Sequence, residues 1–437
     1  MGDRIAITGA GIISAIGAGK EETLRWLLAC RSGIGPLRHL RTTHDLPCGE
    51  VALSDDELKS TLGIHSDQQI ARTSLLGIYA VREALRQASS ESDPEQKEMP
   101  LSPNFQLNAI GKASAIPNSF QELKKQKIAL VSGTTVGGMD VTERIFLNVL
   151  RSDEFNEYLK LHTCGSSTRD IADYFGIFDS LTTTSTACSS AANSLILAAR
   201  LIRSGREDVV VAGGAECLTK YHLNGFNSLM ILDSEPCRPF DASRAGLNLG
   251  EGAGFLVLES QAHAQARGAE PLAFLDGYGN ACDAFHQTAS SPDGDGAYKA
   301  MNEAIAMAGL EPRDIDYVNA HGTGTVNNDE SESRALKRTF GEGMPPVSST
   351  KSFTGHTTSA SGGIESVICL LAMLNGFIPV NLGWKTPFEG GIIPYVDTLA
   401  NQGSGCASSD RKVQLEHVLC NSFAFGGNDT SLLFSRI

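Results

Sequence analysis

The feature that most narrows the fold of this chain is a repeated rhythm: a buried apolar strand, a small-residue loop, then an amphipathic helix. In the first half, the runs Arg4 to Gly11, Lys127 to Ser132, Asp208 to Glu216 and Phe255 to Leu258 read as strands that are apolar at nearly every position. Helical periodicity fills the intervals at Glu21 to Cys30, Asp67 to Gln87, Val141 to Leu150, Arg169 to Phe175 and Ser260 to Arg267. The second half repeats the scheme with strands at Pro271 to Tyr278, Ile315 to Ala320 and Val347 to Ser349, and closing strands around Val418 to Cys420 and Ser431 to Phe434. Its helices fall at Gly296 to Ala308, Asp329 to Phe340 and Ile364 to Leu374. Strands apolar on both faces need cover on both faces, so the pattern predicts an α/β layered fold with largely parallel pairing. At 437 residues the chain exceeds what one core usually sustains, so two similar halves are expected, residues 1–268 and 269–437. Ala88 to Gln126, with Pro100, Pro103 and Pro117 and little periodicity, reads as a surface insertion in the first half.

Charge excludes one broad class of function. The formal net charge is -14, and an acidic chain lacks the basic surface that displaces counterions from nucleic acid. The ten cysteines form no CxxC pairs and no regular spacing, which suggests neither a metal site nor a disulfide framework. They read as reduced thiols. The start of the chain enters a strand without the apolar core of a signal peptide, and the apolar stretch from Ile364 to Ile378 is broken by Glu365, Asn375 and Gly376. A soluble, cytoplasmic protein with no membrane span is expected. The early run Gly9-Ala10-Gly11-Ile12-Ile13-Ser14 lacks the third glycine of a dinucleotide loop, and reads instead as a tight structural turn.

The chemistry concentrates in three stretches. A β-prone threonine run ends in Thr186-Ala187-Cys188-Ser189-Ser190-Ala191-Ala192-Asn193-Ser194, and an apolar helix follows. Cys188 therefore falls at a strand-to-helix turn, where the positive end of the helix favours a thiolate. A free cysteine is ordinarily buried and inert. Two polar strand-end loops change that reading: Asn319-Ala320-His321-Gly322-Thr323-Gly324-Thr325, and Ser349-Thr350-Lys351-Ser352-Phe353-Thr354-Gly355-His356. Two histidines and a lysine in such loops, with a helix-initiating cysteine, make a nucleophile-and-donor set.

The motifs TACSSAANS, AGGAE, GEGAGFLVLE, VNAHGTGT, SSTKSFTGH and NSFAFGGN, in this order along nearly the whole chain, resemble the elongating β-ketoacyl-acyl carrier protein synthases (synthase II-like). These are the Cys-His-His condensing enzymes of the thiolase superfamily. The resemblance implies a thiolase-like fold of layered α-β-α-β-α form. It also implies Cys188 as the acyl-carrying nucleophile, and His321 and His356 as donors to the malonyl thioester carbonyl. The N–H groups of Cys188 and Phe425 become the oxyanion hole, with Phe425 also the gate. Lys351 orients the site, with Glu365 as its partner. Thr323 and Thr325 belong to the malonate pocket, and Val136 and Met139 in the loop Thr134 to Met139 to the acyl pocket near a dimer interface. No metal or organic cofactor is implied, since the phosphopantetheine arm arrives on the carrier protein.

That carrier protein is acidic, so a local basic patch is expected, with Arg72, Arg200, Arg203 and Arg206 as candidates. A homodimer is implied, or a heterodimer with a chain-length-factor-like subunit. Departures from the usual pattern include Ala424 before Phe425, whose Cβ restricts backbone changes needing positive φ, and Thr357-Thr358-Ser359-Ala360 after His356. Thr219 to Pro236 is shorter than the family's segment. These resemble a specialised clade of polyketide or aryl-polyene pathways. The rival readings are a chain-length-factor-like partner and a non-catalytic carrier-protein scaffold. Partner subunits of that kind typically lack the cysteine, and a thiolase would need a second cysteine in the loop Asn421 to Asn428.

Overall fold

The computed structural model describes residues 3–89, 123, 126–152, 156–396 and 412–437. The insertion expected at 88–126 lies almost wholly outside the described residues. Among these, eleven strands form one sheet: β1 (Ile5–Ser14), β2 (Gly17–Ala18), β3 (Ile128–Gly133), β4 (Ser180–Thr184), β5 (Val209–Glu216), β6 (Gly252–Ser260), β7 (Ala273–Cys282), β8 (Tyr317–Asn319), β9 (Val347–Ser348), β10 (His417–Ala424) and β11 (Asn428–Ser435). The order is β4-β3-β5-β6-β1-β7-β11-β10-β8-β9, with β2 hydrogen-bonded to β1 off this path.

Read inward from either edge, the two ends of that order are the same. Counting the five principal strands of each half in chain order, both run third, second, fourth, fifth, first. The pairing directions match as well. Second–third and second–fourth contacts are parallel in both halves, while fourth–fifth and fifth–first contacts are antiparallel. The halves join where Ile5, Ala6 and Ile7 of β1 pair antiparallel with Leu275, Phe274 and Ala273 of β7. The sheet is therefore mixed, which corrects the expectation of largely parallel pairing. Apolar runs report that both faces of a strand are covered, but not which way its neighbour runs.

Alternation along the strands sorts the core into layers. Val210, Ala212, Leu256, Leu258, Val418, Cys420, Leu432 and Phe434 face one inner core, which also contains Leu195 and Ile196 from helix Ser190–Arg203 and Ile364, Val367 and Ile368 from helix Ser361–Asn375. The intervening residues Val209, Val211, Phe255 and Val257 face outward onto helix Arg72–Ala88. Leu419 and Leu433 likewise face helices Asp295–Met307 and Val326–Phe340. The result is helix, sheet, helix, sheet, helix. Helix Ser361–Asn375 is apolar nearly all round because it lies between the two halves of the sheet, buried from Ser361 to Met373. The window Thr358–Asn375 is apolar and long enough to cross a membrane by composition, a length the sequence reading had not allowed; 89% of it is buried inside the protein, as a core helix.

Two sequence features take a different form in three dimensions. Gly9 and Gly11 do not make a turn; they continue β1. A Cβ on Gly9 would sit 2.1 Å from the carbonyl oxygen of Ala84, and one on Gly11 2.0 Å from that of Ala80, so these glycines let helix Arg72–Ala88 lie close against the strand. Cys30 is disulfide-bonded, which corrects the reading of ten reduced thiols. The other eight described cysteines are free. Spacing gave no hint of a bond at Cys30, because such a bond depends on which segments the fold brings together.

Candidate active site

β4 ends at Thr184, and helix Ser190–Arg203 starts six residues later. Hydroxyl groups tie down the tight connection between them. Ser190 Oγ donates to the Ala187 carbonyl at 2.6 Å and Ser189 Oγ to the Thr186 carbonyl at 2.8 Å. Ala187 is held at φ +50°, a left-handed conformation unusual for a residue with a Cβ, and this bend carries Cys188 into the cavity. Asn193 Nδ2 donates to Asn428 Oδ1 at 2.8 Å, linking this helix to the β10–β11 hairpin.

That hairpin turns through Phe425, Gly426 and Gly427, with Ala424 still paired to Asn428. Gly426 and Gly427 hold the positive φ values, 85° and 73°, and Ala424 stays extended. In this conformation the turn asks for no positive φ at Ala424. The Phe425 ring stacks on Phe226 with centroids 5.9 Å apart and planes 18° apart. The backbone N–H groups of Phe425 and Cys188 lie near the Cys188 sulfur and favour its charged form.

The two histidines converge on the same cavity from the second half. His356 Nε2 lies 3.1 Å from Cys188 Sγ, and its Nδ1 lies 3.1 Å from Ser361 Oγ. The His321 ring stands edge-on to that of His356, with centroids 5.3 Å apart. Glu332, fully buried, accepts the backbone N–H groups of His321 at 2.9 Å and Gly322 at 2.7 Å, which fixes the loop after β8. Lys351 Nζ and Glu365 Oε1 form a 2.5 Å ion pair with side chains 1% and 2% exposed. Thr323 and Thr325 share a hydroxyl hydrogen bond of 2.8 Å.

A cavity of about 380 Å³ brings together Cys188, His321, His356, Thr323, Thr325 and Phe425. Its mouth is apolar: Met230 is 88% exposed, Val326 54% and Leu229 43%. Lys351 and Glu365 lie behind the cavity rather than on it. Val136 and Met139 do not line it. Glu216, fully buried at the end of β5, accepts from Thr134 Oγ1 at 2.6 Å and from the Thr135 N–H at 3.0 Å, turning that loop into the core where Val136 packs.

The basic candidates separate in the same way. Arg72 is buried, bound to Glu251 and Asp55 at 2.7 Å each, so it is not a surface docking group. Arg200 and Arg203 lie over the ring of Tyr278 near the far end of the helix that starts beside Cys188, and neither they nor Arg206 reach the cavity. Among the described residues, no group of three or more His, Cys, Asp or Glu side chains could hold a metal ion.

Electrostatics overturn one expectation. Burial pushes the Cys188 thiol up to about 12, with Lys351 and the Phe425 N–H opposing. The helix N-terminus therefore does not leave a resting thiolate. Burial, with Lys351 adding, also drives His321 and His356 well below the ordinary imidazole value. The resting set is a neutral thiol against a neutral imidazole. Three residues of this site escaped sequence reasoning: Glu332, Phe226 and Ser361. Glu332 shares a helix face with Ala335 and Leu336, three and four residues on, and that periodicity was the available signal. Phe226 belongs to helix Lys220–Ser228 in a stretch read only as a shortened segment, and Ser361 was one more small residue in a small-residue run.

Known proteins are similar to this chain in sequence and in fold. Residues 107–264 match the model of the β-ketoacyl synthase N-terminal domain, and residues 272–385 that of the β-ketoacyl synthase C-terminal domain. Nodulation protein E of Rhizobium meliloti (strain 1021) is 32% identical over 448 residues, covering 100% of both chains. The 3-oxoacyl-[acyl-carrier-protein] synthase 2 of Vibrio cholerae is 32% identical over 459 residues, covering 99% of each. Among solved structures, the ishigamide ketosynthase/chain length factor superposes with a TM-score of 0.82 at 28% identity, over 100% of both chains. With a cysteine and two histidines gathered in one cavity of a duplicated, thiolase-like α/β fold, the chain belongs to the β-ketoacyl synthase family.

Proposed function

We propose that this acyltransferase condenses an acyl chain, held as a thioester on Cys188, with a malonyl group carried on an acyl carrier protein, in fatty acid or polyketide chain elongation. The observation that carries this reading is the 3.1 Å contact between Cys188 Sγ and His356 Nε2, with His321 beside it in the same cavity.

In the first step the sulfur attacks the acyl thioester carbonyl while its proton passes to His356 Nε2. The oxyanion is met by the N–H groups of Cys188 and Phe425. The carrier's thiolate leaves and takes the proton from His356, so one thioester is exchanged for another. In the second step a malonyl thioester occupies the cavity with its carbonyl toward His321 and His356. Loss of CO2 leaves an enolate whose oxygen these imidazoles stabilise by donation, and its carbon attacks the Cys188 thioester. The products are a β-ketoacyl thioester two carbons longer and the Cys188 thiolate, which regains a proton from solvent.

Thr323 and Thr325 offer hydroxyls to the malonyl end, and Phe425 gates the passage between the two occupants. The Lys351–Glu365 pair positions the set from behind and supplies the positive charge that most opposes the rise of the Cys188 thiol. The chemistry needs no resident cofactor beyond the carrier's phosphopantetheine arm. A dimer, homomeric or with a chain-length-factor-like subunit, is supported by the outermost strand β4 and by Phe146, Leu147 and Leu150, exposed on helix Met139–Ser152. A cytoplasmic location goes with the predominance of free thiols. A division into residues 1–268 and 269–437 is supported by the connection between helix Gln261–Ala266 and β7.

The test is to incubate the purified protein with malonyl carrier protein and a panel of acyl carrier proteins, and to follow acyl-enzyme and product by mass spectrometry. Wild type should yield a β-ketoacyl product and Cys188→Ala none. Acylation without product would point to a missing partner subunit, and absence of acylation would favour a non-catalytic scaffold.

A further inference from the structure

His356 is clamped at its backbone: its N–H donates to the Asn248 carbonyl at 2.7 Å, and its carbonyl accepts the Gly250 N–H at 2.9 Å. The ring is left with two polar contacts, Cys188 Sγ at Nε2 and Ser361 Oγ at Nδ1. Ser361 Oγ lies in turn 3.2 Å from Thr357 Oγ1, and both residues are buried, at 1% exposure each. The three side chains come from one short stretch, with Ser361 opening the central helix and Thr357 preceding the turn at Thr358 to Ala360.

We propose that Ser361, backed by Thr357, is a positioning residue that sets the plane and the tautomer of His356. The inference rests on the reading of Cys188 and His356 as the reacting pair. The ring is neutral, so it carries one N–H, and the group that meets Nδ1 decides which nitrogen bears it. A hydroxyl both donates and accepts. When Nδ1–H donates to Ser361 Oγ, and Ser361 donates on to Thr357, Nε2 is a bare acceptor aimed at the Cys188 thiol. When Thr357 donates to Ser361 and Ser361 donates to Nδ1, Nε2 carries the hydrogen and can donate to a thioester carbonyl. The two halves of the condensation need these opposite roles. Between them one proton leaves Nδ1 to solvent and one reaches Nε2 from solvent, and reversing the two hydroxyl rotors then matches the chain to either tautomer with the heavy atoms unmoved. A backbone N–H at the same place could only donate, and a methyl group could do neither.

The test uses alkylation of Cys188 by iodoacetamide, which requires no carrier protein, from pH 6 to 10, in wild type, Ser361→Ala, Ser361→Thr and Thr357→Val. With the thiol raised by burial, wild type should show a pH-independent rate near neutrality, where His356 takes the proton, and a limb that climbs at high pH. Ser361→Ala should lower the neutral rate on the order of fivefold, the value of one neutral hydrogen bond, and leave the high-pH limb in place. Ser361→Thr should restore the neutral rate, and Thr357→Val should show a smaller loss. General structural damage would lower both limbs and the melting temperature together. A neutral rate in Ser361→Ala within twofold of wild type, with the fold intact, overturns the assignment. If Ser361→Ala fails to fold, the Thr357→Val profile decides in its place. The function itself fails separately: wild type that alkylates with this profile yet takes no acyl group from any carrier protein refutes the condensing reading and not the tautomer control.

Discussion

Replacing Lys351 by methionine removes one charge from a pair that neither water nor another residue can compensate. Nζ and Glu365 Oε1 are 2.5 Å apart with both side chains essentially unexposed, and Glu365 Oε2 has no hydrogen-bond partner among the described residues. At an effective dielectric near 20 the attraction at that distance is roughly 7 kcal/mol, which largely offsets the several kcal/mol that burying each ion costs. The intact pair thus contributes little net stability, whereas breaking it leaves a buried carboxylate alone. Lys351→Met should lose about 3–5 kcal/mol in urea unfolding followed by circular dichroism. Burial already raises the Glu365 carboxyl, with Lys351 the largest opposing influence. Without the lysine it rises further, and a group raised in the folded state stabilises it below the unfolded value and loses that contribution as pH increases. The penalty of Lys351→Met should therefore shrink as pH falls toward the ordinary carboxylate range. Lys351→Met/Glu365→Leu should recover most of the loss, because apolar side chains of similar volume need no partner there. A single variant within about 1 kcal/mol of wild type, or a double variant as unstable as Lys351→Met, would refute this account of the pair.

Two further outcomes follow from particular contacts. Asp429 is buried and pushed up to about 8 by that burial, with Asp283 and Glu332 adding, so its contribution to stability is present in acid and is lost as pH rises through about 8. Melting temperatures between pH 5 and 9 should fall more steeply for wild type than for Asp429→Asn; parallel curves would show that Asp429 does not titrate there. Phe226→Ala removes the ring stacked on Phe425, an interaction worth about 0.5–1.5 kcal/mol, and should slow acyl transfer to Cys188 severalfold with little change in melting temperature. An unchanged acylation rate would mean that the stack does not set the position of the Phe425 N–H at this site.

Much of the site is visible in one dimension because its parts are local. Cys188 follows a strand and precedes a helix, His321 lies in the loop after β8, and His356 comes just after the short helix Lys351–Thr354 that follows β9, an order of small and polar residues that any reader of the chain can find. The α/β class is visible for the same reason, since a strand or helix records its burial in the period of its own side chains. Helix Lys220–Ser228 was missed because its apolar positions are few and its role is to present Phe226 to a hairpin two hundred residues away.

What the sequence alone determined, then, is which segments become strands and helices and which residue types can carry a covalent acyl group. Tertiary structure decided the rest. It set the antiparallel joins that close each half of the sheet, and the inward turn that packs Val136 into the core. It buried Arg72 against Glu251, and it made Cys188 a resting thiol in place of the thiolate its helix position suggested. The physical reason is common to all four. Pairing direction, desolvation and charge pairing depend on which distant segments surround a group, and for a buried sulfur the loss of water outweighs a helix dipole acting over a single turn.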